Sequence, residues 1–175
     1  MIVVADGYQI DFKDAIHAFK FDEQDTSKPT YHGATVLKAV DVIAELDTAY
    51  LFVEIKEYDQ PEEFDEDTGV DEKDCKARHD YFKWLKNYLK YKFRDSYLYR
   101  HAEHKVDKPI HYLCLLNFDN ALNSKMAKSL KTELPVGKAS KRWTSELSKS
   151  CQVLNLEAWN RNFPKWPAKK IKRAS

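Results

Sequence analysis

Asp41, Glu54 and Lys56 are the residues of this chain whose types and spacing suit chemistry. They lie in Val40-Asp41-Val42-Ile43-Ala44-Glu45-Leu46, then Asp47-Thr48, then Ala49-Tyr50-Leu51-Phe52-Val53-Glu54-Ile55-Lys56. A reversal at Asp47-Thr48 sets Asp41 opposite Glu54. Opposed Cβ atoms of an antiparallel pair lie about 4.5–5.5 Å apart, close enough for two carboxylates to share one ion. Magnesium, for which manganese can substitute, takes oxygen ligands, usually one or two carboxylates, and keeps waters for a substrate to displace. The backbone carbonyl of Ile55 is the simplest further ligand. Lys56, two residues beyond Glu54, points to the same side of its strand. Its ammonium can hold a phosphate oxygen or help deprotonate a water, while a bound metal lowers that water's pKa.

The element that must position these groups is a hairpin. Strand alternation puts Val40, Val42, Ala44, Leu46, Ala49, Leu51, Val53 and Ile55 on one face, all apolar. Asp41, Glu45, Glu54 and Lys56 share the other with Ile43, Tyr50 and Phe52, which makes that the expected wet side. A loop of two or four residues about the same centre keeps this register. The simplest alternative is a half-exposed strand with solvated acids; against it, like charges directly opposite each other are destabilising. The acid-x-Lys tripeptide alone carries no weight, because Asp11-Phe12-Lys13, Asp71-Glu72-Lys73, Asp74-Cys75-Lys76 and Glu103-His104-Lys105 repeat it.

Asp41, a gap of twelve residues, then Glu54-Ile55-Lys56 on an apolar strand resembles the PD-(D/E)XK nucleases, the restriction-endonuclease-like superfamily. Val40 stands where the eponymous proline would be. The resemblance implies an α/β fold with an αβββαβ core, a mixed central sheet flanked by helices. It also implies magnesium-dependent cleavage of phosphodiester bonds in DNA, as in repair or defence, with Asp41 and Glu54 as metal ligands and Lys56 as the catalytic lysine. An acid from the first helix joins the metal site in some members; Asp22, Glu23 and Asp25 are candidates and Glu23 is preferred. The alternative is a catalytically silent nuclease-like domain that binds nucleic acid or protein.

With 175 residues, 43% of them hydrophobic, four Gly and six Pro, the chain reads as one domain with a sizeable core. No signal peptide or transmembrane stretch is evident, and three cysteines without ligand-like pairing suit a cytoplasmic protein. His101 and His104, or Cys75 and His79, lack further zinc ligands. Cys114 reads as an inert core thiol. Neither a phosphate-binding glycine loop nor a nucleophile elbow is present.

Along the chain, Phe12, Ile16 and Phe19 predict a helix over Asp11 to Phe21, with Asp11 as N-cap. Residues 57–74, rich in acids, read as a mobile loop. A long helix is expected from about Lys76 to Lys105, on the stripe Phe82, Leu85, Leu89, Phe93 and Tyr97. A buried strand follows from Pro109 to Leu116, then a helix capped by Asp119 or Asn120 and ended by Pro135, then a strand over Gln152 to Leu156. Residues 165–175 read as a basic C-terminal tail.

The long helix interleaves cations with Tyr81, Trp84, Tyr88, Tyr91 and Tyr99. Cations neutralise phosphates and rings stack on unpaired bases, so Lys92, Arg94, Tyr99 and Arg100 are the candidate nucleic-acid contacts, with Asp95 nearby. An ordinary lysine-rich helix with aromatics in the core fits the same pattern. DNA is the expected partner and a membrane is not. So short a chain suggests a homodimer or a separate targeting subunit.

Overall fold

The computed structural model describes residues 1–58, 72–137 and 140–171, with the backbone alone for 72–78. Eleven elements follow one another: β1 (Ile2–Ala5), β2 (Tyr8–Asp11), β3 (His17–Lys20), β4 (Val42–Glu45), β5 (Tyr50–Lys56), α1 (Glu72–Ala102), β6 (Ile110–Leu116), α2 (Asn120–Glu133), β7 (Ser150–Leu154), α3 (Leu156–Asn162) and β8 (Ala168–Lys170). The class is α/β. A mixed five-stranded sheet runs in the order β3-β4-β5-β6-β7, and a small sheet in the order β1-β2-β8. Strands β3, β4 and β5 form an antiparallel meander, whereas β6 lies parallel to β5 and β7 parallel to β6. Parallel neighbours need a crossover connection; α1 provides the first and α2 the second.

The hairpin forms in the expected register. Val42 pairs with Val53, Ile43 with Phe52, Ala44 with Leu51 and Glu45 with Tyr50. The Leu46 N–H donates to the Ala49 carbonyl at 2.8 Å, closing the turn around Asp47-Thr48. Val42, Ala44, Leu51, Val53 and Ile55 face the small sheet and Trp159 of α3. Ile43, Tyr50 and Phe52 face Leu85, Leu89 and Phe93 of α1. Both faces of the sheet are therefore core. The wet face expected for this hairpin is covered, because the helix that links β5 to β6 packs over it.

The long helix begins at Glu72 and α2 is capped by Asp119, whose carboxylate accepts from the Leu122 N–H at 2.7 Å. At the end of α1, the Lys105 N–H donates to Arg100 O at 2.8 Å and the His104 N–H to His101 O at 3.0 Å, with His104 at φ 57°. That pair of bonds, with a left-handed residue between, ties off the last carbonyls. Tyr112 on β6 donates its hydroxyl to Leu89 O at 2.9 Å, pinning α1 to the sheet.

Several expectations are corrected. Asp11 to Phe21 is not a helix: the β2 strand ends at Asp11 and β3 occupies His17–Lys20. Phe12 drops into the small-sheet core, Phe19 and Phe21 into the α1 side, and Ile16 is 55% exposed, so the three residues of the supposed helical face do not share one. The basic tail is not a tail over its first part: Ala168–Lys170 pairs with β2, Trp166 Nε1–H donates to Asp14 at 2.6 Å, and Lys170 pairs with Glu57. Of the acidic stretch 57–74, residues 59–71 lie outside the described residues. Its ends are held, Tyr58 by a reciprocal pair of bonds with Asn117 and residue 72 onward by α1. The strand expected over Gln152 to Leu156 is β7, which ends at Leu154; Asn155 instead caps α3 by accepting from the Ala158 N–H at 2.9 Å. Cys114 and Cys151 are free and buried, and burial raises both thiols, as a core role requires. Among the described residues, no helix is long and apolar enough to cross a membrane.

Candidate active site

Asp41 precedes β4 and Glu54 is the fifth residue of β5, one step beyond the last pairing of the hairpin. The Asp41 position is fixed from several directions. Its carbonyl accepts from the Phe21 N–H at 2.8 Å. Its Oδ2 accepts from the Ile55 N–H at 2.6 Å. The segment leading into it hangs on α1: the Lys38 N–H donates to Asp95 Oδ2 and the Val40 N–H to Ser96 Oγ, each at 2.9 Å. A strand residue's N–H and C=O lie on the same edge, so the Ile55 carbonyl also faces the Asp41 side of β5.

Neither carboxylate is solvated. Asp41 is 4% exposed and Glu54 fully buried, which corrects the expectation of a wet site. Between them stands the ammonium of Lys92, from α1, 3.7 Å from Asp41 Oδ1, 3.4 Å from Glu54 Oε1 and 3.3 Å from Asp22 Oδ2. Neither Glu54 oxygen receives a hydrogen bond of good geometry. Two buried carboxylates and one buried ammonium leave a net negative charge, and half-buried Asp22 adds to it. Burying charge without full compensation is costly.

The electrostatics follow. Burial first, then the neighbouring Asp6 and Asp22, lift the Asp41 carboxyl to about 6 against the pull of Lys92 and the Ile55 N–H. Burial and then Asp41 push Glu54 well above the usual carboxylate range, opposed by Lys92 and Tyr88. Burial pulls on the Lys92 ammonium in the other direction, but Glu54 and Asp41 outweigh it and hold the proton on. A pair of carboxyls so displaced takes up a proton or a cation.

Lys56 ends β5, half-buried, with its Nζ 6.0 Å from the centre of the Tyr88 ring. The Nζ of Lys92 lies 5.4 Å from the same ring and that of Lys38 5.1 Å. Tyr88 and Lys92 separate the carboxylates from a cavity of about 300 Å³ that Asp22, Tyr31, His32 and Lys38 also line. The structure thus brings Asp41, Glu54 and the Ile55 backbone together, with Lys56 near the Tyr88 ring and not among the residues lining the cavity. Among the described residues, Lys56 makes no ion pair with either carboxylate.

The remaining candidates are dispersed. Glu23 lines the cavity but accepts from the Asp25 N–H at 3.0 Å; Asp22 is the acid that reaches Lys92. Arg94 is on the surface with its guanidinium 5.9 Å from the Tyr91 ring. Tyr99 packs on Phe21 and His32. Arg100 is buried, bonded to Glu103 at 2.5 Å and near the Phe19 and Tyr50 rings. Lys92, Arg94, Tyr99 and Arg100 do not form one nucleic-acid face. The residue whose role the sequence misjudged most is Lys92, which serves the carboxylates. Its spacing with Leu85, Leu89 and Ser96 places it within the buried stripe, and that was the available signal.

Two carboxylates and a backbone oxygen are the donor types a hard divalent cation takes. The Glu54 oxygens, with the Lys92 ammonium at 3.4 Å but no hydrogen bond of good geometry, leave acceptor capacity for one. Among the described residues, no group of three or more His, Cys, Asp or Glu side chains is gathered around a metal position; the donor set is the pair alone. Compared with protein-family models, with curated proteins and with solved structures, the chain matches none.

Proposed function

We propose that this protein is a metal-dependent nuclease of the restriction-endonuclease-like class, hydrolysing phosphodiester bonds in DNA. The observation that carries this reading is the Asp41–Glu54 pair: buried, short of compensating charge, held across a hairpin in register, and one side chain away from an open cavity. The element order supports it. An antiparallel meander, a long helix and a strand parallel to the last of the meander follow one another in the order βββαβ, which is compatible with that part of the expected core. The leading helix of that core has no counterpart among the described residues, since the strands β1 and β2 precede the meander.

Asp41, Glu54 and the Ile55 carbonyl would hold the ion. When bound, a divalent cation supplies Lewis acidity and lowers the pKa of a water. The chain's own residues then have separate tasks. Asp41 and Glu54 must be ionised to bind a cation, which releases the proton their burial retains. Lys92 partly neutralises them in its absence, and its side chain must withdraw for the pair to meet the cavity. Lys56, beside Tyr88, would hold a phosphate oxygen or take a proton from water.

One observation favours a second reading. The Lys92 ammonium already sits among three carboxylates, so the site resembles a self-neutralised one, as in a nuclease-like domain that binds without cutting. Incubation with plasmid and linear single-stranded DNA, with magnesium or manganese, separates the two. The nuclease reading expects cleavage that Asp41→Ala and Lys56→Ala each reduce at least about a hundredfold, in the range of a lost acid–base group. DNA binding without cleavage under either metal overturns it in favour of the silent domain.

A further inference from the structure

The face of α1 beside the carboxylates is unlike an ordinary lysine-rich helix surface. Tyr81, Trp84 and Tyr88 form a ladder with ring centres 5.2 and 5.4 Å apart, the Trp84 and Tyr88 planes tilted by only 21°. Trp84 is 48% exposed and Tyr91, three residues beyond Tyr88, is 45% exposed. The cations lie against these rings. Around Tyr88 are Lys38, Lys56 and Lys92. Around Tyr91 are Lys90 at 5.5 Å, Lys38 at 5.8 Å and Arg94 at 5.9 Å. Among the described residues, Lys38, Lys56 and Arg94 make no ion pair with an acid, so their charge is free for an outside anion. Tyr88 belongs both to the ladder and to the cavity wall, which makes the aromatic face continuous with the carboxylate site.

We infer that this face grips an unpaired DNA strand, with bases stacked on Trp84 and Tyr91 and phosphates against Lys38, Lys56 and Arg94; this deepens the nuclease reading and rests on it for the fate of the strand. An exposed ring gains from a base only if that base presents its flat side, and every unpaired base does. In duplex DNA the bases stack on each other and offer a protein only their edges in the grooves. A cavity of about 300 Å³ is at the low end for small-ligand sites and suits one nucleotide beside the carboxylates. The alternation of rings and uncompensated cations is the arrangement that tracks a single strand without reading its sequence.

The test is fluorescence anisotropy with a labelled 15-nucleotide single strand and the blunt duplex of the same sequence, in EDTA so that no cleavage intervenes. Wild type should bind the single strand at least about tenfold more tightly than the duplex, the effect expected of one or two stacked bases. Trp84→Ala and Tyr91→Ala, both at half-exposed positions that leave the core intact, should each weaken single-strand binding by three- to tenfold. Arg161→Ala, an exposed cation of α3 on the opposite, small-sheet side of the central sheet, should not. Duplex binding as tight as single-strand binding, or unchanged affinity in both aromatic variants, overturns the inference. Manganese uptake and plasmid cleavage are measured separately. Single-strand binding without either leaves this face standing and removes the nuclease reading; metal-dependent cutting of duplex alone does the reverse.

Discussion

The two faces of the central sheet are made by the same strands, yet they end differently. Toward the small sheet, Val42, Ala44, Leu51, Val53, Ile55, Leu113 and Leu115 meet Phe12, Ile10 and Trp159 in an unbroken apolar layer. The polar tip of its largest side chain, Trp159 Nε1–H, donates to Trp166 O at 2.7 Å. Toward α1 and α2, the layer of Ile43, Phe52, Tyr112, Leu85, Leu89 and Phe93 ends in Asp41, Glu54 and Lys92, where charge is buried and incompletely matched. Val53 and Glu54 are neighbours in sequence and point to opposite faces. The first face is built for stability; the second carries a charged defect that costs stability unless something binds there.

That contrast can be broken by mutation. Trp159→Ala on the apolar face should have the largest effect, a loss of about 3–5 kcal/mol in urea unfolding, because a fully buried indole leaves a cavity and an unpaired Trp166 carbonyl. A loss below about 1 kcal/mol would mean that the small sheet contributes little to the core. The opposite sign is expected on the other face. Asp41→Asn should stabilise the metal-free protein at pH 7 by on the order of 1–3 kcal/mol, since each unit of pKa displacement is worth about 1.4 kcal/mol.

The pH dependence sharpens this further. The Asp41 carboxyl moves from its ordinary 3.8 to about 6 on folding. Below about pH 4 both folded and unfolded chains are protonated there and the group costs nothing. As pH rises through the window from 4 to 6, the unfolded chain ionises first, so stability falls, and above 6 the full cost remains. Glu54, raised for the same reason, adds to the fall in the same direction. The advantage of Asp41→Asn over wild type in EDTA should therefore be greatest at pH 7 and vanish toward pH 4. An advantage independent of pH would show that the carboxylate's charge is not its source.

The sequence made the hairpin legible because its alternating apolar residues permit only one register that keeps Val42, Ala44, Leu51, Val53 and Ile55 together, as they are. Val40, expected with them, lies instead in the α1-side core because it precedes the strand. The β6 strand was equally plain, a local pattern read without tertiary context, and the cap of α2 was narrowed to Asp119 or Asn120, of which Asp119 is the one. The region before Val40 misled, because Phe12, Ile16 and Phe19 match a helical period by coincidence across the short link between β2 and β3, two strands of four residues each. A better signal was there in Ala5-Asp6-Gly7-Tyr8. Asp6 at φ 45° and Gly7 at φ 80° form the tight turn of the β1–β2 hairpin, and Asp-Gly is the dipeptide that favours such turns. The burial of the site was not legible, since it depends on how α1 lies over the sheet. Nor was the choice of Asp22 over Glu23, which turns on a loop whose side chains cap one another.

The account stands on the claim that Asp41 and Glu54 form a cation site whose charge Lys92 only partly supplies. Titration with manganese, followed by electron paramagnetic resonance at pH 7.5, addresses it without reference to DNA. Wild type should take up the ion at a single site, with affinity that weakens as pH falls toward 5 because protons compete. Glu54→Gln, which keeps the shape of the side chain, should bind it at least tenfold more weakly. No uptake by wild type, or undiminished uptake by Glu54→Gln, would contradict the account.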